Sequence, residues 1–427
     1  MTTIMEPTDT IPTEHLQRIL EEVTEKKGIK KPRYTVSAGS KPGDNYLGLL
    51  YRIEVREGEA AEPALRLIIK GMPRSERRRE ETRIVIFFDN ECNMYHTVLP
   101  GLNRFVTGAI GVDEVRGVNG AHDSFLYTAP FHHAHQGGVE GEDTIVLEDM
   151  RPLGFTLHDR KVGLDEHHVR GVLRALAYLH AASIAMQDQR PEEFAKLRGH
   201  IRETLFCASN PFASHVDDMV QRSYDYIKER FPEGSAGHIK MKSLMEGYMG
   251  KMAKLTAESE DGGNAILHGD CWTNNVLFKY SKAGSVEEVC LLDFQLARFG
   301  PPVLDIAYLL YCCTVREFRD KHLDKLLREY HDQLSANLRR LGSDPDKVYS
   351  RETMQAQLRE RMRFGLGMAV MTVPLFLADS DEIPDMDEQF DKGADMKEVM
   401  DVESKSAPER NKRISDVLEE MMERGWI

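Results

Sequence analysis

The sequence lacks the features that mark secreted, membrane-spanning and nucleic-acid-binding proteins. Its six cysteines form no Cys-x-x-Cys pair, which argues against a zinc site and against a disulfide framework. It contains no apolar run of about eighteen residues that could span a membrane, and it does not begin with a signal peptide. The net charge of −14 leaves no basic face for nucleic-acid phosphates. We therefore expect a cytoplasmic monomer with no nucleic-acid partner and no membrane span.

The length and the apolar content allow either of two organisations. A chain of 427 residues can form two or three average domains, or one large protein with two lobes. Hydrophobic residues make up 41% of the chain, which is enough for a sizeable core. The choice between the two depends on the motifs.

One stretch, residues 266–278, carries the strongest chemical signal. His268 and Asp270 are followed, after four further residues, by Asn275 and then by an apolar run. This is the H-x-D-x-x-x-x-N arrangement of kinase catalytic loops, in which the Asp takes the proton of the acceptor hydroxyl and the Asn binds magnesium. The structural alternative is a buried turn in which these side chains only cap backbone groups.

A second carboxylate stands at the matching place. Asp293 lies eighteen residues after Asn275, at the end of the apolar run 286–292. The β-prone runs 276–280 and 286–292 flank a turn that contains Ser and Gly, and this pattern predicts a hairpin. A hairpin would bring Asn275 and Asp293 to the open end of adjacent strands. We therefore predict Asp270 as the catalytic base and Asn275 and Asp293 as magnesium ligands.

The elements that this loop lacks narrow the substrate class. Protein kinases carry an Arg at the position of Gly269 and a Gly at the position of Gln295. Only nine residues separate Gln295 from Asp305, which is too few for an activation segment. A protein substrate would therefore have no platform, and a small-molecule acceptor is favoured.

The motifs His268–Asn275 and Asp293-Phe294-Gln295 resemble those of the ecdysteroid kinase-like proteins of insects and their relatives. That family belongs to the wider group of choline kinases and aminoglycoside phosphotransferases. The Trp-x-x-Asn sequence within the loop distinguishes it from those related families. The resemblance extends from about Tyr34 to about Leu377. It implies an α+β, two-lobed protein kinase-like fold that uses ATP and Mg²⁺, with Asp305 bracing the catalytic loop.

The first half of the chain supplies candidates for the nucleotide site. Lys70 ends an apolar strand, as the phosphate-binding Lys of kinases does. Glu91 lies within an apolar helix face, where an acid is costly unless it is paired, and Lys70 is its predicted partner. The glycine-rich turn 37–48 would cover the phosphates with backbone N–H groups, although an ordinary hairpin is the alternative. The predicted cofactor-binding residues are Gly43, Asp44, Asn45, Lys70, Glu91, Glu148 and Met150.

The predicted organisation has a helical extension (1–33), a small lobe (34–148) and a helical lobe (149–427). Residues 13–27 are expected to form a helix that begins at a Thr13 cap and packs outside the small lobe. Three further expectations concern charged segments. Residues 73–80 would be the solvated start of a helix, the histidines of 132–135 would lie in a surface loop without metal, and 379–404 would be a mobile acidic loop.

These observations predict an ATP- and Mg-dependent kinase that phosphorylates an alcohol hydroxyl on a small molecule. The family resemblance implies an ecdysteroid or another lipophilic alcohol. Two alternatives stay open. One is a kinase for choline-like, aminosugar-like or xenobiotic alcohols, whose cationic members would need acidic or aromatic cages. The other is a nucleotide-binding pseudokinase that acts as a scaffold.

Overall fold

The computed structural model describes residues 11–39, 49–111, 125–137, 142–207, 210, 216–217, 220–379, 382, 385–394 and 404–427. The first part of the chain contains α1 (Thr13–Lys26), β1 (Pro32–Ala38), β2 (Leu49–Glu57), β3 (Leu65–Gly71), α2 (Glu76–Thr82), α3 (Ile84–Asn93), a π-helical turn (Met94–Val98), α4 (Leu99–Ile110), β4 (Phe131–His135) and β5 (Thr144–Glu148). The middle part contains β6 (Phe155–Leu157), α5 (Glu166–Gln189), α6 (Pro191–Arg198), α7 (Ser223–Ile227), α8 (Ala236–Met245), α9 (Tyr248–Thr256), β7 (Ala265–Leu267), β8 (Val276–Tyr280), β9 (Val286–Leu291) and β10 (Arg298–Gly300). The last part is helical, with α10 (Val303–Cys313), α11 (Arg316–Arg340), α12 (Pro345–Val348), α13 (Arg351–Arg361), α14 (Phe364–Leu377), α15 (Met386–Asp391) and α16 (Ala407–Glu423).

The first five strands form one antiparallel sheet in the order β1-β2-β3-β5-β4. Helix α1 covers one face of this sheet, and Leu16, Ile19 and Leu20 pack with strand residues in one buried cluster. The helix therefore lies against the small lobe, as its apolar face predicts. Its N-cap residue is Pro12, without a side-chain cap, so Thr13 is the first helical residue and the predicted Thr13 cap is wrong.

Beyond β5 the chain is mainly helical, and a second, larger core forms around α5 and α10. Two small sheets lie within this part: β10 pairs with β7, and β8 lies between β6 and β9. The predicted hairpin is confirmed, because β8 pairs antiparallel with β9 and Val276 faces Leu291. The predicted fold class, an α+β protein with a small antiparallel-sheet lobe and a mainly helical lobe, is confirmed. No helix in the described part of the chain combines the length and the apolar character that a membrane span requires.

Two expectations about charged segments are wrong. The histidines of 132–135 lie in strand β4, where the ladder with β5 satisfies the backbone, and not in a surface loop. Within the described residues, no group of three or more His, Cys, Asp or Glu side chains could hold a metal ion. That these histidines bind no metal stays a prediction.

The acidic segment 379–404 is not a mobile loop throughout, because residues 385–394 contain α15 and dock on helix α2. We call residues 385–394 the acidic strap. Asp387 is buried and accepts hydrogen bonds from Arg74 N (3.2 Å), Ser75 N (3.3 Å) and Arg78 Nη1 (3.0 Å). The basic run 73–80 is therefore only partly solvated, since Arg78 is buried beneath the strap. The strap lies about 310 residues from this partner in the chain, so local pattern gave no sign of it.

We predict that Asp387→Ala loosens the strap. The substitution removes a charged acceptor from two backbone N–H groups and from a buried guanidinium, which should cost about 2 kcal/mol of unfolding free energy. Urea unfolding measures this cost, and hydrogen exchange should become faster in both α2 and α15. Asp391→Ala is the matched control, because this carboxylate is exposed on the same helix. Equal exchange rates in the two variants would contradict the prediction.

Candidate active site

The backbone of the loop after β7 is fixed by one buried carboxylate. Asp305 accepts hydrogen bonds from His268 N (2.8 Å) and Gly269 N (2.9 Å). His180 Nε2 lies 3.2 Å from the same carboxylate, and its Nδ1 lies 2.7 Å from the Tyr330 hydroxyl. Burial alone would raise the pKa of Asp305, but the hydrogen bonds from His180 and the charges and N–H groups around it hold that pKa below its ordinary value. Asp305 is therefore ionised and satisfies loop N–H groups that water cannot reach.

His268 joins the loop to the end of the β8–β9 hairpin. Its Nε2 lies 2.9 Å from Leu292 O, and its Nδ1 accepts from Asp270 N at 3.2 Å. This pattern requires a proton on Nε2 and none on Nδ1. Burial lowers the pKa of His268, which keeps the ring neutral and this tautomer in place.

Gly269 occupies a position that admits no side chain. Its φ is +83°, and a Cβ built there would lie 1.9 Å from Leu296 O. An Arg, which protein kinases carry at this place, cannot be accommodated in this backbone. The absence of an activation segment and the absence of that Arg are thus linked, because the chain after Gln295 packs directly on the loop.

The Asp270 carboxylate is buried and receives hydrogen bonds from three side chains. Tyr308 donates to Oδ1 at 2.9 Å, and Asn275 Nδ2 donates to Oδ2 at 3.0 Å. Gln295 Nε2 lies 3.4 Å from Oδ2. Burial, followed by the negative charge of Asp293, raises the pKa of Asp270 to about 6, while the three donors act in the opposite direction. A carboxyl with a pKa near neutrality is suited to general-base chemistry.

Asn275 and Asp293 stand at the open end of the hairpin, as the strand pattern predicts. Leu292 N donates to Asn275 O at 2.9 Å, so the residue before Asp293 lies beside Asn275. Asp293 has a φ of +62°, a left-handed conformation that is uncommon for a residue other than glycine and costs backbone energy. Strained residues of this kind cluster at functional sites.

These two residues fit a magnesium ion. Asp293 Oδ1 is buried and makes no well-aligned hydrogen bond within the described structure, although Lys70 Nζ lies 3.1 Å away. The Asn275 amide nitrogen is used by Asp270, which leaves its carbonyl oxygen as the metal-binding atom. One carboxylate and one amide oxygen match the few protein ligands that Mg²⁺ takes when phosphates and water complete its octahedron.

Lys70 connects the sheet to this site. Its Nζ lies 2.6 Å from Glu91 Oε2 on α3 and 3.1 Å from Asp293 Oδ1, so the predicted Lys70–Glu91 ion pair is present. Burial alone would lower the pKa of Lys70, but the charges of Asp293 and Glu91 outweigh it and raise that pKa. Burial raises the pKa of Glu91, with Asp293 adding to the rise and Lys70 opposing it. The ammonium therefore stays charged between two carboxylates.

Lys70, Glu91 and Asp293 border a cleft of about 370 Å³ between the sheet and the helical lobe. Apolar side chains line it from both lobes: Leu50, Ile68, Ala129, Ile145, Leu147, Leu277 and Leu292. Glu148 and Met150 lie at its edge, where the chain passes from β5 to the helical lobe. Arg151 donates to Asp149 and, at 3.3 Å, to Gly39 O at the end of β1. The predicted residues Gly43, Asp44 and Asn45 lie outside the described residues.

Sequence reasoning missed three residues of this site. Tyr308 and Gln295 contact Asp270, and Asn90 Nδ2 donates to Gln295 O (3.0 Å) and Ala297 O (2.8 Å). Asn90 precedes Glu91, so α3 is bonded directly to the chain that follows Asp293. A buried amide next to a buried acid on an apolar helix was the available signal for Asn90, because such groups need partners. Tyr308, three residues after Asp305, could have been found from helical spacing.

The family model described as the ecdysteroid kinase-like family matches residues 42–343. The 4-hydroxytryptamine kinase of Psilocybe cyanescens is 27% identical over 78 residues, or 18% of this chain, and the match spans only about a fifth (22%) of that curated relative's length. The ethanolamine kinase of Plasmodium vivax has a TM-score of 0.39 and 11% identity, with 92% of this chain and 83% of that chain covered. The GDP complex of a mutant aminoglycoside 2′-phosphotransferase IIIa has a TM-score of 0.39 and 11% identity, with 88% and 98% covered.

We predict that Asp305→Ala destabilises the protein by about 3–5 kcal/mol, the usual cost of removing one member of a buried charged network. Two backbone N–H groups and His180 would lose their acceptor. Urea unfolding compared with the wild type measures the change. Asp332→Ala, which removes an exposed carboxylate paired with Arg351, is the control and should change stability by about 0.5 kcal/mol or less. Similar unfolding midpoints for the two variants would show that Asp305 contributes no more to stability than an exposed carboxylate does.

Proposed function

The chain belongs to the ecdysteroid kinase-like family, a group of small-molecule kinase-like proteins, and on that basis we propose that it transfers the γ-phosphoryl group of ATP to an alcohol hydroxyl of a small molecule. One set of contacts supports this more than any other. Lys70 lies between Glu91 and Asp293, at 2.6 and 3.1 Å, and Asn275 connects the same end of the cleft to Asp270. A structural turn would not need a lysine, two further carboxylates and an amide from four separate elements.

In the proposed reaction Asp270 orients the acceptor hydroxyl and takes its proton. Lys70, oriented by Glu91, neutralises charge on the nucleotide phosphates. Asn275 and Asp293 would bind a magnesium ion, which supplies charge compensation to the phosphates when it is bound. Phosphoryl transfer depends on positioning and charge more than on covalent chemistry, and the contacts that hold these five residues suit that requirement.

The nucleotide would occupy the cleft. Its apolar walls suit a purine base, and the backbone from Glu148 to Met150 would face the edge of that base. Glu148 N donates to Pro130 O (2.9 Å), Asp149 N donates to Arg66 O (2.9 Å), and the Met150 carbonyl accepts from two N–H groups, so the Met150 N–H is the group proposed to serve the nucleotide. Gly43, Asp44 and Asn45 are proposed to cover the phosphates, and the lobe boundary is proposed to follow Glu148.

The acceptor is proposed to be an ecdysteroid or another lipophilic alcohol. The family name and the 4-hydroxytryptamine kinase both suggest a hydroxyl on a fused-ring molecule, although that relative is matched over a small part of its length. Six free thiols, five of them buried, fit a reducing compartment, and we propose the cytosol and a monomeric state.

A transfer assay tests the function. Purified protein, radiolabelled ATP and Mg²⁺ are incubated with ecdysone, 4-hydroxytryptamine, ethanolamine, choline and an aminoglycoside, and labelled products are separated by chromatography. We expect a labelled product from ecdysone or 4-hydroxytryptamine. Transfer only to ethanolamine, choline or the aminoglycoside would replace the proposed substrate class, and ATP binding without any transfer would favour the scaffold alternative.

We predict that Asp270→Ala stops phosphoryl transfer while ATP binds with similar affinity. The carboxylate is proposed to contact the acceptor and not the nucleotide, so its loss should act on kcat. A general base typically contributes about 10²–10⁴-fold. Turnover is measured beside nucleotide affinity by calorimetry. Turnover within a few-fold of wild type would mean that Asp270 only caps the loop and is not the catalytic base.

We predict that Asp293→Asn removes turnover by weakening magnesium binding, with the fold intact. The amide preserves the size of the side chain and removes the charge that a hard divalent cation requires. Turnover is titrated with Mg²⁺ for both proteins, and circular dichroism checks the fold. An unchanged magnesium dependence with near-normal turnover would contradict the metal assignment.

A further inference from the structure

Hydrogen-bond donors of the protein occupy most of the acceptor positions of the Asp270 carboxylate. An ionised carboxylate offers about four acceptor positions. Within the described residues, Tyr308 uses one position on Oδ1, and Asn275 and Gln295 use both positions on Oδ2. One position therefore remains, and it belongs to Oδ1.

We propose that Tyr308 and Gln295 are positioning residues for Asp270, which hold its carboxylate so that the one open acceptor position on Oδ1 receives the substrate hydroxyl. This inference rests on the proposed function, because it assigns a direction to the base that the proposed reaction needs. Asn275 has a separate proposed role at the metal, whereas Tyr308 and Gln295 act only through Asp270.

Tyr308 lies on the same face of helix α10 as Asp305, the residue that fixes the loop backbone. Asp305 and Tyr308 lie three residues apart on α10, so their side chains leave the helix on one face. Asp305 binds the N–H groups of His268 and Gly269, and Tyr308 binds the side chain of Asp270. Every residue of α10 is buried, which leaves the helix little freedom to move. One rigid helix thus sets both the path of the loop and the rotation of its carboxylate.

Gln295 supplies the second restraint from the opposite side. It stands where protein kinases carry a Gly, and its backbone carbonyl accepts from Asn90 on α3 at 3.0 Å. Its side chain reaches Asp270 Oδ2 at 3.4 Å, a longer contact than the 2.9 Å bond of Tyr308. We expect its contribution to be the smaller of the two.

Tyr308 and Gln295 serve the transfer of the phosphoryl group from ATP to the acceptor hydroxyl. The acceptor oxygen forms a bond to the γ-phosphorus, and the bond from that phosphorus to the β,γ-bridging oxygen breaks with its electron pair leaving on ADP. The hydroxyl proton passes to Asp270 Oδ1. Tyr308 keeps its own proton, since burial raises its pKa well above the ordinary value, and it donates throughout. A carboxylate free to rotate would spend less time in the reactive orientation.

The experiment compares Tyr308→Phe, Gln295→Leu, Asp270→Ala and the two double variants with Asp270→Ala. The probes are radiolabelled MgATP with ecdysone as the acceptor, and MgATP alone with water as the acceptor. We expect Tyr308→Phe to lower kcat by about 10- to 100-fold, the equivalent of one hydrogen bond to a charged group, with the KM for MgATP unchanged. Gln295→Leu should lower kcat less. On the residual turnover of Asp270→Ala, expected about 10²–10⁴-fold below wild type, neither substitution should have a further effect, because both act through the missing carboxylate.

Tyr248→Phe is the matched control, since Tyr248 is equally buried and donates at 2.9 Å to Gly367 O, away from the loop. Its kcat should stay within about twofold of wild type. Thermal unfolding verifies that each variant is folded, and Gln295→Leu tests the inference should Tyr308→Phe be unstable. Wild-type kcat in Tyr308→Phe and Gln295→Leu, or losses that add to that of Asp270→Ala, would overturn the inference while leaving the proposed function intact. Wild-type turnover in Asp270→Ala, or no turnover by the wild type with either probe, would instead count against the proposed function.

Discussion

The hydrogen bonds from the loop backbone to the Asp305 carboxylate are the constraint on which the rest of the site depends. They hold His268 and Gly269 at 2.8 and 2.9 Å and thereby fix the direction in which Asp270 leaves the loop. The carboxylate is buried and ionised, with His180 as its third partner and Tyr330 behind His180. Removing a charge from such a network leaves several groups unsatisfied together, so the expected effect exceeds that of any single contact.

The small lobe and the helical lobe are joined at two places. At the cleft, Lys70 contacts both Glu91 of α3 and Asp293 of the hairpin, and Asn90 bonds the same helix to the chain after Asp293. At the far side of α2, the acidic strap places Asp387 against Arg78. Helix α3 is therefore fixed by contacts within the described structure, and the close packing of Leu296 on Gly269 leaves no space for a side chain at position 269.

Much of this site could be predicted because its parts are local. The spacing of His268, Asp270 and Asn275 lies within one loop, and the hairpin to Asp293 follows from two short apolar runs and a turn. Lys70 and Glu91 were paired on the argument that an acid in an apolar helix face needs a cation, and they lie 2.6 Å apart. The errors also have a local origin. The histidines of 132–135 stand close to several glycines, which favour a loop, and residues 379–404 are rich in acids and prolines, which are typical of solvated chain.

By itself the sequence determined the catalytic-loop motif, the hairpin and the Lys70–Glu91 pair, because each follows from spacing or from the cost of burying a charge. The α+β class followed from the family resemblance that these motifs carry. Only the tertiary structure decided which side chains surround Asp270, and how the acidic strap is used. Tyr308 lies 38 residues from Asp270, and Asp387 lies 309 residues from Arg78. Periodicity tells which face of a helix is buried, but it carries no information about what that face meets. The partner of a buried polar group is set by how the lobes pack, and that packing is a property of the whole chain.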